Sequence, residues 1–451
     1  MKTRHFFSSI VMAIAALNAS DTMAQDSSQW TLQQCIDYAM ANNIDVKSGT
    51  FSLEQAQQQT EASRGQLMPS LSFSTSHSLG WRPWSQNTVA LSGGTMTTTK
   101  SDRTYSGNYN LSANWTVWDG GKSRRNVESA RLDEANAEAQ NILTANNIEE
   151  QIVQYYVQIL YQTEAVKVAD STLATSIALR DRGREMFQVG SLSKADLAQL
   201  EAQASQDEYS LVSAKTQLST YKMQLKQILE IIKTQDFDVA TPTLSDDKVL
   251  EPLPTVDDVF TAAMASRPEV RQSHISIEQG EIQQRIARAG HYPQINLSAG
   301  VSTGHNSASD DSFGQQMKQN VNNSIGLNIS VPILDNRQTR TNIAKAKIQR
   351  TQADLSSQQA ENDIYKQVET YWLAALSAQA QYQSATTNAA SSAESFTLVS
   401  EQFSLGLKNI AELMTGKNNL LSARQQLLQS KYTALLNIAL LKFYAGEELS
   451  L

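Results

Sequence analysis

The chain has 451 residues, of which 40% are hydrophobic, with eight prolines, one cysteine and a formal net charge of −8. That length exceeds a single ordinary domain, and the absence of an apolar run of about 20 residues after the N-terminus excludes a helical membrane protein. The acidic balance argues against a nucleic-acid partner, and Cys35 alone excludes an intrachain disulfide.

The apolar run Phe6–Leu17 lies behind Lys2, Arg4 and His5, and Thr22-Met23-Ala24 follows with small residues at the outer positions. This pattern predicts a secretory signal peptide over residues 1–24, cleaved after Ala24. Losing Lys2, Arg4 and Asp21 moves the net charge from −8 to −9. The chain is therefore expected to leave the cytoplasm. Cys35 follows Leu32-Gln33-Gln34, which lacks the small residues of a lipoprotein box, so it reads as a small apolar residue on a short helix.

One half of the sequence repeats the other. Thr31-Leu32, Cys35-Ile36 and Ala39-Met40 recur 224 residues on as Thr255-Val256, Val259-Phe260 and Ala263-Met264. The same offset carries Val46 onto Val270, Arg64 onto Arg288, Pro69 onto Pro293 and Leu71 onto Ile295. Later the offset is 216: Asp119 matches Asp335, Tyr155-Tyr156 matches Tyr371-Trp372, and Phe187-x-x-Gly190 matches Phe403-x-x-Gly406. The second copy is thus eight residues shorter between Pro293 and Asp335. The protein is a tandem duplication, with a first repeat over 25–232, a linker over 233–254 carrying Pro242, Pro252 and Pro254, and a second repeat over 255–451.

Each repeat predicts a short helix (about 31–41 and 255–266), then a longer one ending before Pro69 or Pro293. Two strands follow, about 69–81 and 104–118, repeated at about 293–305 and 321–334. Their signal is period-2 alternation. Leu71, Phe73, Thr75, His77 and Leu79 alternate with serines, and Tyr105, Tyr109, Leu111, Ala113, Trp115 and Val117 alternate with Ser, Asn and Thr. The second copy shows Ile295, Leu297, Ala299 and Val301, then Val321, Ile325, Leu327, Ile329, Val331 and Ile333. Turn-rich loops separate the strands, about 82–103 with Gly93-Gly94 and about 306–320 with Asp310-Asp311. A water-soluble sandwich also alternates, but its strands usually run only about 5–6 residues. Longer strands with one apolar face, and Trp81, Trp115, Trp118, Tyr105 and Tyr109 near their ends, fit a transmembrane barrel better.

After the strands, Asp119 and Asp335 are suited to accept from the free amides of a helix start. Gly121–Val189 contains no proline, and apolar residues recur every seventh place at Ile152, Ile159, Val166 and Leu173, with counterparts Val368, Ala375, Tyr382, Ala389, Phe396 and Phe403. Beyond Gly190 and Gly406, return helices carry Leu197, Ala204, Leu211, Leu218, Leu225 and Ile232, and Leu413, Leu420, Leu427, Ala434 and Leu441. A seven-residue repeat predicts paired helices with a left-handed supercoil. Each repeat therefore holds a helical hairpin, and at about 1.5 Å per residue a helix of about 69 residues reaches roughly 100 Å. The expected class is an α+β membrane protein. Its four strands cannot close a barrel alone, and open edges are not viable in lipid, so the chain must oligomerise.

Over nearly its whole mature length the sequence resembles the TolC-like outer-membrane efflux proteins. The resemblance rests on the duplicated strand–strand–hairpin order, on Pro69 and Pro293, on Trp118-Asp119-Gly120-Gly121 with its echo Leu334-Asp335, and on two hairpin tips. These tips run from Phe187-Gln188-Val189-Gly190 to Ala195-Asp196-Leu197 and from Phe403-Ser404-Leu405-Gly406 to Ala411-Glu412-Leu413. The resemblance implies a homotrimer with a twelve-stranded barrel in outer-membrane lipid, continued by a coiled-coil tunnel in the periplasm. It implies an exit duct of a tripartite efflux or type I secretion system, working with a periplasmic adaptor and an inner-membrane transporter, without a cofactor. The missing lipoprotein cysteine separates the chain from lipid-anchored members.

The resemblance also implies roles for particular residues. Val189, Gly190, Leu405 and Gly406 fall where the family's tips meet the adaptor. Phe403, Lys408 and Asp196 fall where an aromatic, a basic residue and an aspartate hold the resting channel shut. Phe403 lacks the hydroxyl usual there, leaving packing, and Lys408 lacks the bidentate geometry of arginine. Glu412 matches the acidic ring of the constriction, whose second acidic position is Thr415 here.

Two other classes fit less well. An enzyme would need a cluster that His5, His77, His274, His291 and His305 do not form with Cys or carboxylates at metal spacing, and there is no phosphate loop or nucleophile elbow. His291 just before Pro293 reads as a helix-end residue. A structural or adhesive secreted coiled-coil trimer would lack the constant-offset duplication, and the adaptor itself would have one hairpin flanked by compact β-domains and no duplicated amphipathic strands.

Overall fold

The computed structural model describes residues 29–81, 88–92, 95–99, 103–232, 237–242 and 245–451. The expected signal peptide, Gly93-Gly94 and parts of the 82–103 loop and of the linker lie outside the described residues. In chain order the elements are β1 (Gln29–Trp30), α1 (Leu32–Asn42), α2 (Ile44–Gly65), β2 (Ser70–Trp81), β3 (Thr88–Ser92), β4 (Thr95–Thr99), β5 (Arg103–Asp119), α3 (Lys122–Gln188) and α4 (Lys194–Ile228). Then come β6 (Asp238–Val239), α5 (Asp246–Val249), α6 (Val256–Ser266), α7 (Pro268–Ala289), β7 (Gln294–Asn306), α8 (Phe313–Gln319), β8 (Asn322–Ser330), α9 (Gln338–Ser404) and α10 (Ile410–Tyr444). The chain divides into two compact units, one of Gly49–Asn141 with Pro268–Glu361 and one of the remaining segments.

The first of these units carries an antiparallel four-stranded sheet in the order β2-β5-β7-β8. Each copy contributes one strand pair, and β5 pairs with β7 to join them. Register sets Leu71 opposite Ala113, Ala113 opposite Ala299 and Ala299 opposite Ile325. The next row is Ser72, Ser112, Gly300 and Ser324. Period-2 geometry therefore gives the sheet one apolar face and one Ser/Asn/Gly face. Ser72 and Ser112 share a hydrogen bond of 3.0 Å between their hydroxyls. On the apolar face Leu71 is 72% exposed and Ile325 84% exposed in the single chain.

Two strand expectations need correction. Val117 does not continue the apolar row, because a bulge between Thr116 and Trp118 puts Trp118 opposite Ile295 while Trp115 stays opposite Leu297. A bulge changes which face later side chains occupy, so Trp115 and Trp118 share the apolar face despite their odd spacing. The last strand stops at Ser330, short of the expected 334, since Pro332 has no amide to give to a ladder. The two loops also hold structure. β3 and β4 pair as a hairpin from Thr88 opposite Thr99 to Ser92 opposite Thr95. Ser312 and Gln315 form a reciprocal capping box that starts α8.

At the outer end of the sheet, His77 and His305 flank Gly107 across the ladder. The Tyr105 hydroxyl and His77 Nδ1 lie 3.0 Å apart, and Phe313 of α8 meets His305 edge-on. At the opposite end Asp119 Oδ2 accepts from the Ser123 amide at 2.8 Å, and Asp335 Oδ2 accepts from the Thr339 amide at 2.8 Å. The hydroxyl and amide of Thr339 hold the Asp335 carboxyl below the usual range.

The helical unit is packed along the seam. Ile152, Ile159, Val368, Ala375, Ala434 and Leu441 are fully buried, as the seven-residue repeat predicts. Cys35 lies in this core on α1, and burial pushes its thiol up to about 12. Thr31 caps α1 through a capping box with Gln34, and Thr255 caps α6 by accepting from the Asp258 amide at 3.2 Å. The linker is not featureless: β6 pairs in parallel with β1, and Val239 and Val249 are buried in the same core. The Tyr156 hydroxyl donates to the Ala240 carbonyl at 2.7 Å, and Lys442 reaches Glu251 at 2.8 Å. α4 ends at Ile228, so Ile232 does not extend the seam and is 91% exposed.

Candidate functional site

The candidate site is the pair of hairpin tips, where α3 turns into α4 and α9 into α10. The two hairpins match in length, 67 residues out and 35 back in each copy. Gly190 and Gly406 adopt φ of +78° and +74°, the left-handed region where a side chain is strained. Ser191 N–H donates to the Met186 carbonyl at 2.8 Å, and Leu407 N–H donates to the Gln402 carbonyl at 2.9 Å. These are the six-to-one bonds that close a Schellman turn. No atom would meet a Cβ at either glycine, so the backbone angle alone calls for glycine there.

Behind the turns the tips share one apolar cluster: Leu200 from the first copy with Phe403, Ile410, Leu413 and Met414 from the second. Leu179, Met186, Leu192, Phe396 and Val399 pack around it. Phe403 is 3% exposed, whereas its repeat counterpart Phe187 is 40% exposed. Beyond the cluster Val189, Leu405 and Leu407 project as exposed apolar side chains.

The charged residues singled out by sequence are held locally. Lys408 Nζ lies 2.5 Å from Glu412 Oε1, one helical turn along. Glu412 also completes a capping box: its amide donates to Asn409 Oδ1 at 2.9 Å, and its carboxylate accepts from the Asn409 amide at 3.2 Å. Lys408 first, and then the Asn409 amide, hold the Glu412 carboxyl below the usual range. Asp196, the repeat counterpart of Glu412, accepts from the Ser193 hydroxyl at 2.7 Å. Within one chain the structure therefore brings Lys408 to Glu412 and seats Phe403 in the cluster, but does not bring Asp196 to Lys408. Thr415 donates its hydroxyl to the Ala411 carbonyl at 2.8 Å.

Sequence reasoning missed a buried polar cluster. Ser176 on α3, Asp207 on α4 and Lys417 on α10 meet inside the helical unit. Its signal was present: Asp207 lies between the seam residues Ala204 and Leu211, and Lys417 between Leu413 and Leu420. The Asp207 counterpart in the second copy is Ala423, so the charge is a departure from the repeat. Among the described residues no group of three or more His, Cys, Asp or Glu is arranged to hold a metal, and no helix is long and apolar enough to cross a membrane.

Comparison with known proteins gives the tips and strands their context. The family model for outer membrane efflux proteins matches residues 35–229 and 259–447, one segment in each repeat. The outer membrane efflux protein BepC of Brucella suis is 20% identical over 424 residues, covering 94% of this chain and 87% of that one. TolC of Vibrio cholerae is 21% identical over 330 residues, covering 71% of this chain and 72% of that one. Among solved structures, CusC superposes with a TM-score of 0.79 at 18% identity, covering 95% of this chain and 96% of that one. The CmeC outer membrane channel of Campylobacter jejuni gives 0.76 at 20% identity, covering 93% and 86%. These likenesses establish the TolC-like fold, and the match to both repeats establishes that the chain belongs to the outer membrane efflux protein family.

Proposed function

We propose that three copies of the chain close a twelve-stranded barrel in the outer membrane and conduct substrates passively outward through the hairpins in the periplasm. The observation that carries this reading is the four-stranded sheet, whose apolar face is exposed and whose edge strands β2 and β8, among the described residues, each pair on one side only. Unpaired backbone groups in hydrocarbon cost several kcal/mol each. Edge-to-edge pairing of β2 with the β8 of the next copy removes that cost around a closed ring. A secreted coiled-coil trimer would have no use for an apolar sheet face.

The hairpin tips are the entrance in this reading. Val189, Leu405 and Leu407 supply exposed apolar contacts for a periplasmic adaptor, with Gly190 and Gly406 setting the turns, and the adaptor links the duct to an inner-membrane transporter. Phe403 closes the entrance by packing, while Lys408 pairs with Asp196 of a neighbouring hairpin in exchange for part of its bond to Glu412. The amino-terminal 24 residues are the export signal. The test is the mass of the detergent-solubilised protein, corrected for bound detergent. A trimer is expected, and a well-behaved monomer would refute the barrel.

A further inference from the structure

We infer that Lys417, Asp207 and Ser176 form an intrachain latch that clamps the second hairpin onto the first and holds the entrance segment closed. The inference rests on reading the tips as a gate. It adds to the exposed charges at the turn a hold by residues two helical turns inside α10.

The geometry is that of a buried ion pair bridged by a hydroxyl. The side chains of Lys417 and Asp207 are 3% and 5% exposed, and Ser176 is buried beside them. Lys417 Nζ donates to Asp207 Oδ2 and, at 2.5 Å, to Ser176 Oγ. The Ser176 hydroxyl in turn donates to Asp207 Oδ2 at 2.5 Å, and Gln203 Nε2 donates to Asp207 Oδ1 at 3.0 Å. Serine thus bridges the pair with both its donor and its acceptor. Ser176 and Asp207 belong to the first-copy hairpin and Lys417 to the second, so the cluster crosses from one hairpin to the other. Lys408, Glu412 and Asp196 are instead bonded within their own hairpin.

Stability alone does not call for charges here. Replacing a buried ion pair by apolar side chains of similar size is often neutral or stabilising, whereas removing one partner strands the other charge. The repeat shows the apolar solution at one of these positions, because Asp207 corresponds to Ala423, which is buried. A charged contact differs from an apolar one in what opening returns: once this pair parts, water solvates both charges and offsets much of the lost attraction. That is the behaviour of a releasable clasp.

The test uses the full-length protein in planar lipid bilayers, with trimer melting followed in parallel. Lys417→Ala leaves Asp207 as an unpaired buried carboxylate and is expected to raise open-state occupancy about tenfold, the factor equivalent to 1.4 kcal/mol. Adding Asp207→Leu removes the stranded charge without rebuilding the pair, so the channel is expected to stay as open as in the single variant. Ser176→Ala, which deletes one bridging hydroxyl, is expected to raise occupancy by a smaller factor without affecting assembly. Native occupancy in assembled Lys417→Ala overturns the latch, as does a double variant returned to native occupancy, which would assign the opening to the stranded charge alone. Should Lys417→Ala fail to assemble, native occupancy in Ser176→Ala overturns it. Lys408→Glu serves as the control for the gate itself. A rise there with none in the latch variants refutes the latch and leaves the gate standing. Increases confined to the latch variants support the latch and refute Lys408 as the hold.

Discussion

Phe187 and Phe403 occupy equivalent positions in the two copies yet differ in burial, 40% against 3% exposed. This permits an internally controlled substitution. Phe403→Ala deletes a phenyl ring enclosed by the tip cluster, so the lost transfer energy is joined by the cost of a cavity, about 3–5 kcal/mol in all. Phe187→Ala removes a side chain already partly in water, which leaves no enclosed cavity and costs roughly 1 kcal/mol. The loss is expected locally, because the cluster joins the ends of the two hairpins and local opening draws on its contacts. Amide hydrogen exchange across 396–414 should accelerate about a hundredfold or more in Phe403→Ala, since every 1.4 kcal/mol is tenfold. In Phe187→Ala the exchange across 180–200 should rise about tenfold at most. Equal effects at the two positions would refute the argument that the second-copy tip is the one held by packing.

Other expectations follow from the strands, the tips and the helix ends. Cysteines placed at Ser72, Ser74, Asn110, Asn114 and Asn328 should react with small polar thiol reagents in the membrane, while those at Leu71, Leu111 and Leu327 should resist; the reverse pattern would mean an inverted sheet. Lys408→Glu should enlarge bilayer conductance, with partial restoration on adding Asp196→Lys. The proposed Lys408–Asp196 links would be partly exposed, each worth on the order of 0.2–1 kcal/mol, so unchanged conductance would assign closure to packing around Phe403 and to the buried cluster. Glu230 ends α4 with φ of +57°, where the second copy has Gly446 at +90°. Glu230→Gly should therefore raise the unfolding free energy by about 1 kcal/mol, and a drop in thermal stability would show that the Glu230 side chain contributes more than its backbone strain removes.

The elements that the sequence disclosed are those governed by periodicity over many residues. The seam from Ile152 to Ile159 and from Val368 to Tyr382 is buried as its spacing predicts, because seven-fold recurrence has one inexpensive solution in paired helices. Period-2 alternation placed Leu71, Leu111 and Val301 on one face for a similar reason. What escaped were features decided by one or two residues. The bulge at Val117 interrupts an alternation that looks continuous, and Pro332 ends β8 within a run of Val and Ile that otherwise reads as strand. The Ser312–Gln315 box follows directly on Asp310-Asp311, and two side chains alone mark the short helix within that turn-rich loop. At the tips, Lys408 lies in the second turn, while Phe403, Asp196 and Glu412 lie in the helix ends beside the two turns. The sequence could not say that Lys408 folds back on Glu412, since that depends on rotamers within one helical turn. Ser176 and Lys417 lie 241 residues apart, a pairing that no local pattern discloses.

The equal lengths of the two hairpins bear on how such a chain can change through evolution. Between the copies, eight residues have been gained or lost in the strand region, where a loop can absorb them. From Asp119 and Asp335 onward the offset stays at 216, so neither hairpin has grown or shrunk against the other. Adding one residue to a long helix turns everything beyond it by about 100° and would rotate the seam out of its partner. Adding seven keeps the face but advances the tip by about 10.5 Å, which would separate Leu200 from Phe403 unless the other hairpin lengthened as well. Length changes in the hairpins of this chain are therefore expected to be tolerated only in matched steps that preserve the seam, while the loops between its strands can vary one residue at a time.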